Sequence, residues 1–307
     1  MSYTKIKRLC IIISLIIILT LPGCNAKPEQ NEPVSSVTAD TFSFIFMSDT
    51  QADPEEEDYS EFGRLLDNAL AHETKPELLI LGGDSINDGG SQTEWDLFFA
   101  AAGNLLDDIT IASVAGNHDN NPLLSEQFDY PSQVPSRVDE GYFYSFVYKD
   151  IFFLMLDSNI MGAGNSKDAL WVEKQLASEA AQNSCWRIAV CHHPFWPAAN
   201  IPKDVSRAET MQRVFLPVLE SGSVDLILCG HQHMYARTEP LESRSGIVQI
   251  MLASGGKDSY TPKEIDSLAA YSPLSVYLLV DVDPYALRLF TYDSNGETVD
   301  QTIITKR

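Results

Sequence analysis

Five of the six histidines in this 307-residue chain fall in three short clusters: GNHD at His118, CHHP at His192 and His193, and GHQH at His231 and His233. Each cluster follows an apolar run. Two earlier apolar runs, FSFIFMSD and LLILGGD, end in the carboxylates Asp49 and Asp84. An apolar stretch of strand length followed by a residue able to bind metal thus recurs five times. In an α/β protein, chemistry collects beyond the carboxyl ends of the strands, so ligands far apart in sequence can meet in one pocket. Imidazole and carboxylate are groups that hold transition metals. A single histidine of this kind is more often a satisfied core residue, but five of them with two aspartates outline one metal site. His72 stands apart in the helical stretch EFGRLLDNALAH and is read as solvated.

Two divalent ions about 3.5–4 Å apart, sharing a bridging carboxylate and a deprotonated water, are what metal-assisted hydrolysis of a phosphate ester needs. Asp84 suits the bridge, because GGDSIND sets it beside glycines that let metal and substrate approach the backbone. A glycine-rich phosphate loop without metal is the weaker reading, since the Lys-Ser/Thr of a P-loop is missing from this motif. Asn117 offers a neutral amide oxygen to one ion. Its neighbour His118 is then free to donate a proton to a leaving oxygen or to stabilise developing charge. His231 and His233, two residues apart, can each reach a different ion from one turn.

The elements that must carry these groups alternate in the first half of the chain: strand near 42 to 48, helix 58 to 73, strand 77 to 81, helix 92 to 103, strand 110 to 115. That order favours an α/β fold with buried strands. Residues 120 to 138 hold three prolines without periodicity and read as a loop over the mouth of the site. YFYSFVYKDIFFLMLD reads as a hairpin turning at Lys149 and Asp150. A helix (168 to 181), a strand (185 to 191), a helix (207 to 220) and a strand (224 to 229) follow. From Ile247 the pattern is mostly strand, as a second sheet packed on the first would require.

The length and a hydrophobic content of 44% support a full core. The start differs in kind. Lys5, Lys7 and Arg8 precede an apolar run from Leu9 to Leu21, too short to span a membrane and suited to an export signal. LPGC at its end resembles the bacterial lipobox, so residues 1 to 24 are expected to be a lipoprotein signal with Cys24 lipidated. Polar residues 25 to 40 form a tether and 41 to 307 the domain. A formal net charge of −22 argues against a grip on nucleic-acid phosphates. The acidic run 53 to 59 reads as the first turn of a helix. Cys185, Cys191 and Cys229 lie in or beside apolar strands, where cysteine acts as a small hydrophobe, and a pairing of Cys191 with Cys229 stays open.

Taken in order over residues 48 to 237, SDTQ, GGDSIND, GNHD, CHHP and GHQHMYAR resemble the calcineurin-like metallophosphoesterases. GHQHMYAR with YFYSF and LMLDSN resembles especially the purple acid phosphatase branch. The likeness covers most of residues 42 to 255. It implies an α/β (α+β) sandwich, two mixed β-sheets packed face to face and flanked by helices, with two ions of manganese, iron or zinc at the strand ends. By position, the resemblance implies that Asp49, Asp84 and His233 hold the first ion, that Asp84, Asn117, His192 and His231 hold the second, and that His118 acts near the leaving group. His192 is the expected ligand of its pair, since the family's ligand follows directly on the strand. His193 then stands behind it or faces substrate, and the two roles can be exchanged. Tyr235 and Arg237 are expected to brace their loop.

The chain departs from the family pattern twice. Where much of the superfamily has Asp-x-His it has Asp49-Thr50-Gln51, and where purple acid phosphatases have a tyrosine three residues after the bridging aspartate it has Asn87. Gln51 or Asn87 can offer only a weak amide oxygen, or water fills the gap, so a non-purple enzyme with a looser first ion is expected. The resulting reading is an extracytoplasmic, lipid-anchored phosphoesterase in which a metal-bridging hydroxide attacks phosphorus, with monoesters preferred. A phosphodiesterase on nucleotides, glycerophosphodiesters or envelope polymers is the alternative. A phosphate-binding lipoprotein without turnover is the contrasting class.

Overall fold

The computed structural model describes residues 41–306 except 53–57, 121, 129–135, 139–140, 241–244 and 264–267. The expected signal (1 to 24), the tether (25 to 40) and most of the acidic run 53 to 59 lie outside the described residues.

The first apolar run sets the architecture. In β1 (Phe42–Met47) all six side chains are buried, Phe44 and Phe46 on one face and Ile45 and Met47 on the other. A strand buried on both faces must be covered on both. β1 runs parallel to β2 (Leu78–Leu81), and β2 parallel to β3 (Thr110–Ser113). Met47 pairs with Leu81 and Leu81 with Ser113, so the three carboxyl ends are level. Helices α1 (Ser60–Leu70) and α2 (Gln92–Ala102) cover the outer face, α1 through Phe62, Leu65, Leu66 and Ala69 at helical spacing. The Ser91 side chain caps α2 by accepting the Glu94 N–H. Antiparallel strands β12 (Val276–Val282), β13 (Ala286–Asp293) and β14 (Thr298–Thr305) complete the sheet, in the order β14-β13-β12-β1-β2-β3.

The second sheet grows from the expected hairpin, β5 (Gly141–Tyr148) and β6 (Ile151–Leu156), turning at Lys149 with a φ of 49°. Strands β7 (Trp186–Cys191), β8 (Leu226–Cys229) and β10 (Val248–Met251) follow β6 in parallel. β9 (Tyr235–Thr238), β11 (Leu268–Ser272) and β4 (Ser136–Val138) give the order β11-β9-β10-β8-β7-β6-β5-β4. The inner faces of the sheets meet through Phe44, Phe46 and Leu278 from one and Phe153, Met155, Ile188 and Leu228 from the other. Phe44 and Phe153 meet edge to face at 5.5 Å between centroids, an arrangement that aligns ring edge and ring face favourably. Short helices α3 (Leu124–Gln127) and α4 (Ser158–Met161) lie in the connections. α5 (Ser166–Leu176), α6 (Glu179–Asn183), α7 (Pro202–Val214) and α8 (Leu216–Ser221) cover the outer face of the second sheet. The fold is therefore the anticipated pair of mixed sheets between helices.

Several expectations change. The helix expected over 168 to 181 is two, because Ser178 leaves helical geometry to cap α6 through the Ala181 N–H. The helix expected over 207 to 220 breaks at Phe215, just before Pro217, whose missing N–H cannot continue the ladder. The segment 120 to 138 carries α3 and β4 rather than loop alone. His72 lies past the end of α1 and is half-buried, not solvated. Its Nε2 is 2.8 Å from the Tyr277 hydroxyl and its ring tilts against Tyr292. Cys185, Cys191 and Cys229 are free thiols. Tyr235 donates to Asp300 Oδ2 at 2.6 Å, and Arg237 Nε donates to the same oxygen at 2.6 Å, so β9 of one sheet is tied to β14 of the other.

Candidate metal centre

Level strand ends bring the five clusters together. Asp49 follows β1, Asp84 follows β2, His192 follows β7, and His231 and His233 follow β8. Backbone bonds lock these loops to one another: Asp49 N–H donates to Gly83 O at 2.9 Å and Gly230 N–H to His192 O at 3.0 Å. Asp49, Asp84 and His231 all adopt left-handed backbone, with φ of 49°, 52° and 77°. Non-glycine residues enter that region at a cost of about 1–3 kcal/mol each and persist there when the surrounding structure over-determines them. The glycines beside them admit the close approach: a methyl on Gly230 would collide with Asp49 Oδ2, and one on Gly116 with Asp84 Oδ1.

Ligand atoms of Asp84, His192 and His231 lie within 4.8 Å of one another. His192 is fully buried, and its Nδ1–H donates to Gly82 O at 3.0 Å. Its Nε2, which has no hydrogen-bond partner, therefore faces Asp84 Oδ2 at 3.2 Å. A lone pair opposite a carboxylate oxygen is repulsive unless a proton or a cation lies between them. His231 is fixed twice, its backbone N–H on Asp49 Oδ2 at 2.8 Å and its Nε2 on Asp204 Oδ1 at 3.0 Å. An Nε2–H on Asp204 leaves Nδ1 as the nitrogen with an open lone pair, the usual device that orients a metal-binding imidazole. On the other side, Asp49 Oδ1 is buried without a hydrogen-bond partner, 3.5 Å from His233 Nε2. Asn117 is exposed in the loop after β3, next to His118, whose N–H donates to Asp84 Oδ1 at 2.8 Å. Orphaned acceptors converging in a buried pocket fit a bound cation.

Charge in the pocket points the same way. Burial, reinforced by the Asp84 charge and opposed by His192, raises the Asp49 carboxyl to about 7. Asp84 moves the other way: burial opposes ionisation, but His192 and the His118 N–H outweigh it and hold the carboxyl well below its usual range. Burial works against a charge on His192 too, yet Asp84, Asp49 and Asp119 lift its imidazole to about 10. The pocket thus recruits a proton to offset its carboxylates, and a metal ion would displace that proton.

The remaining sequence-read residues sit as follows. His118 is exposed, with Nδ1 2.8 Å from Asn87 O, so Nε2 is the free nitrogen. His193 is buried behind the centre, its Nδ1 2.9 Å from Ser158 Oγ and its ring 4.3 Å from that of His231. Burial, with His192 and His231 beside it, drives its pKa far below the ordinary imidazole value. In the amide orientation that satisfies its neighbours, Gln51 donates to Ile86 O at 3.1 Å and accepts from Lys257 Nζ at 3.1 Å. Asn87 turns its amide nitrogen to Ala52 O at 2.9 Å and leaves Oδ1 without a hydrogen-bond partner.

Two supporting aspartates escape a reading of the sequence. Asp119 is fully buried and accepts the Ser85 N–H at 2.7 Å and the Gly116 N–H at 2.6 Å, stapling the Asp84 loop to the Asn117 loop. Burial and the Asp84 charge raise its carboxyl to about 6. It was visible as the last letter of GNHD. Asp204 holds His231 from α7 and also accepts from Gln232 Nε2 at 2.7 Å, and nothing local in the sequence distinguishes it from a first-turn helix carboxylate.

A family model described as calcineurin-like phosphoesterase matches residues 42–235. Among curated proteins, purple acid phosphatase 15 of Arabidopsis thaliana is 25% identical over 177 residues, covering 54% of this chain and 33% of its own length. The chain spans about a third of the length of the first curated relatives it matches. Among solved structures, a purple acid phosphatase from yellow lupin (Lupinus luteus) seeds superposes with a TM-score of 0.71 at 17% identity, over 86% of this chain and 54% of that one. GAP50, the anchor in the inner membrane complex of Plasmodium, gives 0.68 at 16% identity, over 87% and 89%. At such identities these two likenesses establish a shared fold.

Proposed function

This chain belongs to the calcineurin-like phosphoesterase family, and from that premise we propose that it is a metal-dependent phosphoric ester hydrolase, acting on monoesters in preference to diesters. The observation that carries the reading is the meeting of Asp84, His192 and His231 within 4.8 Å at the ends of strands from two sheets. The family implies a dinuclear centre. The residues fit unequally: Asp84, Asn117, His192 and His231 would hold one ion, while Asp49, Asp84 and His233, with Gln51 beside them, would hold the other. Bound ions would supply Lewis acidity and an activated water as nucleophile.

The chain's own groups account for the rest. Asp84 would serve both ion positions, and its Oδ1 accepts the His118 N–H. The His118 ring is held through Nδ1 by Asn87 O, so a proton on Nε2 can pass to the departing alcohol oxygen. His193, fixed by Ser158, keeps the His231 ring in place from behind and acts as a positioning residue. A cleft of about 460 Å³ adjoins the centre, lined by Asn200, Ser259, Thr261 and Lys263 among others, and reaches it at Tyr260, whose ring lies 5.0 Å from that of His233. Its polar lining suits the organic part of a phosphate ester. The lipobox-like LPGC supports a location on the extracytoplasmic face of a membrane, anchored through lipid on Cys24.

The test is hydrolysis of an aryl phosphomonoester against the matching diester, after chelation and after return of manganese, iron or zinc. Metal-dependent turnover that Asn117→Ala abolishes and His118→Asn lowers about 10²–10⁴-fold is the expected result. Tight phosphate binding with no turnover under any metal would replace the enzyme with a binding protein.

A further inference from the structure

The side of the centre meant for the first ion contains a cation supplied by the chain itself. Three acceptors face one another there: Asp49 Oδ1, His233 Nε2 3.5 Å from it, and the outer atom of the Gln51 amide, 3.5 Å from the same nitrogen. In the satisfied orientation that outer atom is the amide oxygen, and it accepts from Lys257 Nζ at 3.1 Å. We propose that the Lys257 ammonium competes with the first metal ion for this half of the centre, so that the protein takes up its two ions very unequally. The proposal rests on the metallophosphoesterase reading and deepens it.

The placement of Lys257 is built into the backbone. Ser254 N–H donates to Ser48 O at 2.7 Å, which fastens the segment 254 to 257 along the loop that carries Asp49 and Gln51. Gly255 packs so closely on that loop that a methyl would meet the carbonyl oxygens of Asp49 and Gln51 at 2.5 Å each. Two residues beyond Gly255, Lys257 is half-buried, and on its far side Asp258 O lies 3.3 Å from His233 Nδ1. Anchors on both sides thus hold the Lys257 backbone beside the ligand set, from where its ammonium reaches the Gln51 amide oxygen.

Gln51 and Lys257 act together. An imidazole at position 51 would add a strong ligand with no need of the ammonium, whereas an amide oxygen is a weak metal ligand and a good acceptor from lysine. The other half of the centre is formed by Asp84, His192 and His231. One ion there and one ammonium opposite would still present two positive centres to a phosphate group.

The experiment is titration of the chelator-stripped full chain with Mn²⁺ alone, read by calorimetry and by the electron paramagnetic resonance of bound manganese. Wild type should bind one equivalent tightly, with the spectrum of isolated ions, and a second at least about tenfold more weakly. Lys257→Met should strengthen the second equivalent at least about tenfold, leave the first unchanged and bring in an exchange-coupled pair signal, while Lys257→Arg should behave as wild type. Gln51→His provides an independent variant and should also strengthen the second equivalent. Two equal equivalents in wild type, or a Lys257→Met protein with unchanged metal binding and a raised KM for phosphate esters, would overturn the proposal. No manganese bound by any form, and no turnover, would overturn the metal-centre reading itself.

Discussion

Replacing Asp204 tests whether a carboxylate behind a ligand, rather than among the ligands, tunes the centre. His231 is held in left-handed backbone, at a cost of about 1–3 kcal/mol, and two contacts hold it there: its N–H on Asp49 and its Nε2 on Asp204 Oδ1 at 3.0 Å. Asp204→Ala removes the second contact and also the acceptor of Gln232 Nε2, whose other bond, to Ala199 O, is long at 3.4 Å. Loss of an outer partner of a metal-binding histidine lowers metal affinity about 10–100-fold, or about 1.4–2.7 kcal/mol. The orphaned Gln232 amide adds about 1–3 kcal/mol of lost stability. Asp204→Asn should be intermediate, since its oxygen can still accept from His231 while its amide nitrogen faces the donor of Gln232. Calorimetric metal titration gives the affinities and urea unfolding the stabilities. Metal affinity of Asp204→Ala within twofold of wild type would refute the argument that Asp204 sets the His231 ring. The sign with pH is also determined. Burial raises the Asp204 carboxyl, hydrogen bonds from His231 and Gln232 lower it, and the net shift is downward. A depressed carboxyl contributes stability that is present above its unfolded value of 3.8 and is lost as pH falls through the lower folded value.

Two further outcomes follow from other parts of the molecule. Asp300→Ala should cost about 2–4 kcal/mol in urea unfolding, because it strands the Tyr235 hydroxyl and the Arg237 guanidinium that together tie the two sheets, while leaving kcat at low temperature unchanged. If Cys24 carries lipid, Cys24→Ala should move the protein from the membrane to the soluble fraction and abolish its labelling by a fatty-acid analogue.

Much of the centre is legible because its residues obey a local rule. Asp49, Asp84, His192 and the GHQH pair each follow an apolar run, and strands buried on both faces must read as such runs. The paired helices are also visible from their spacing, but the breaks at Ser178 and Phe215 are not, since a capping serine and a helix-starting proline compete with propensities that favour continuing. His72, at the end of the helical stretch EFGRLLDNALAH, reads as solvated, and only the late strands bring Tyr277 and Tyr292 against it.

What the order of residues determines by itself is the inventory of strand ends and the chemical types waiting at each, because alternation and apolar runs are properties of near neighbours. What the tertiary structure decides is which of those ends face one another and what stands behind them. Parallel registers level three ends in one sheet, and the face-to-face packing of the second sheet carries His192 and His231 across to Asp84. Asp204, Asp119 and Lys257 acquire their roles at that point. Each acts through a hydrogen bond or charge across 27 to 206 positions of sequence, and electrostatic coupling depends on distance in space and on burial, neither of which a local pattern encodes.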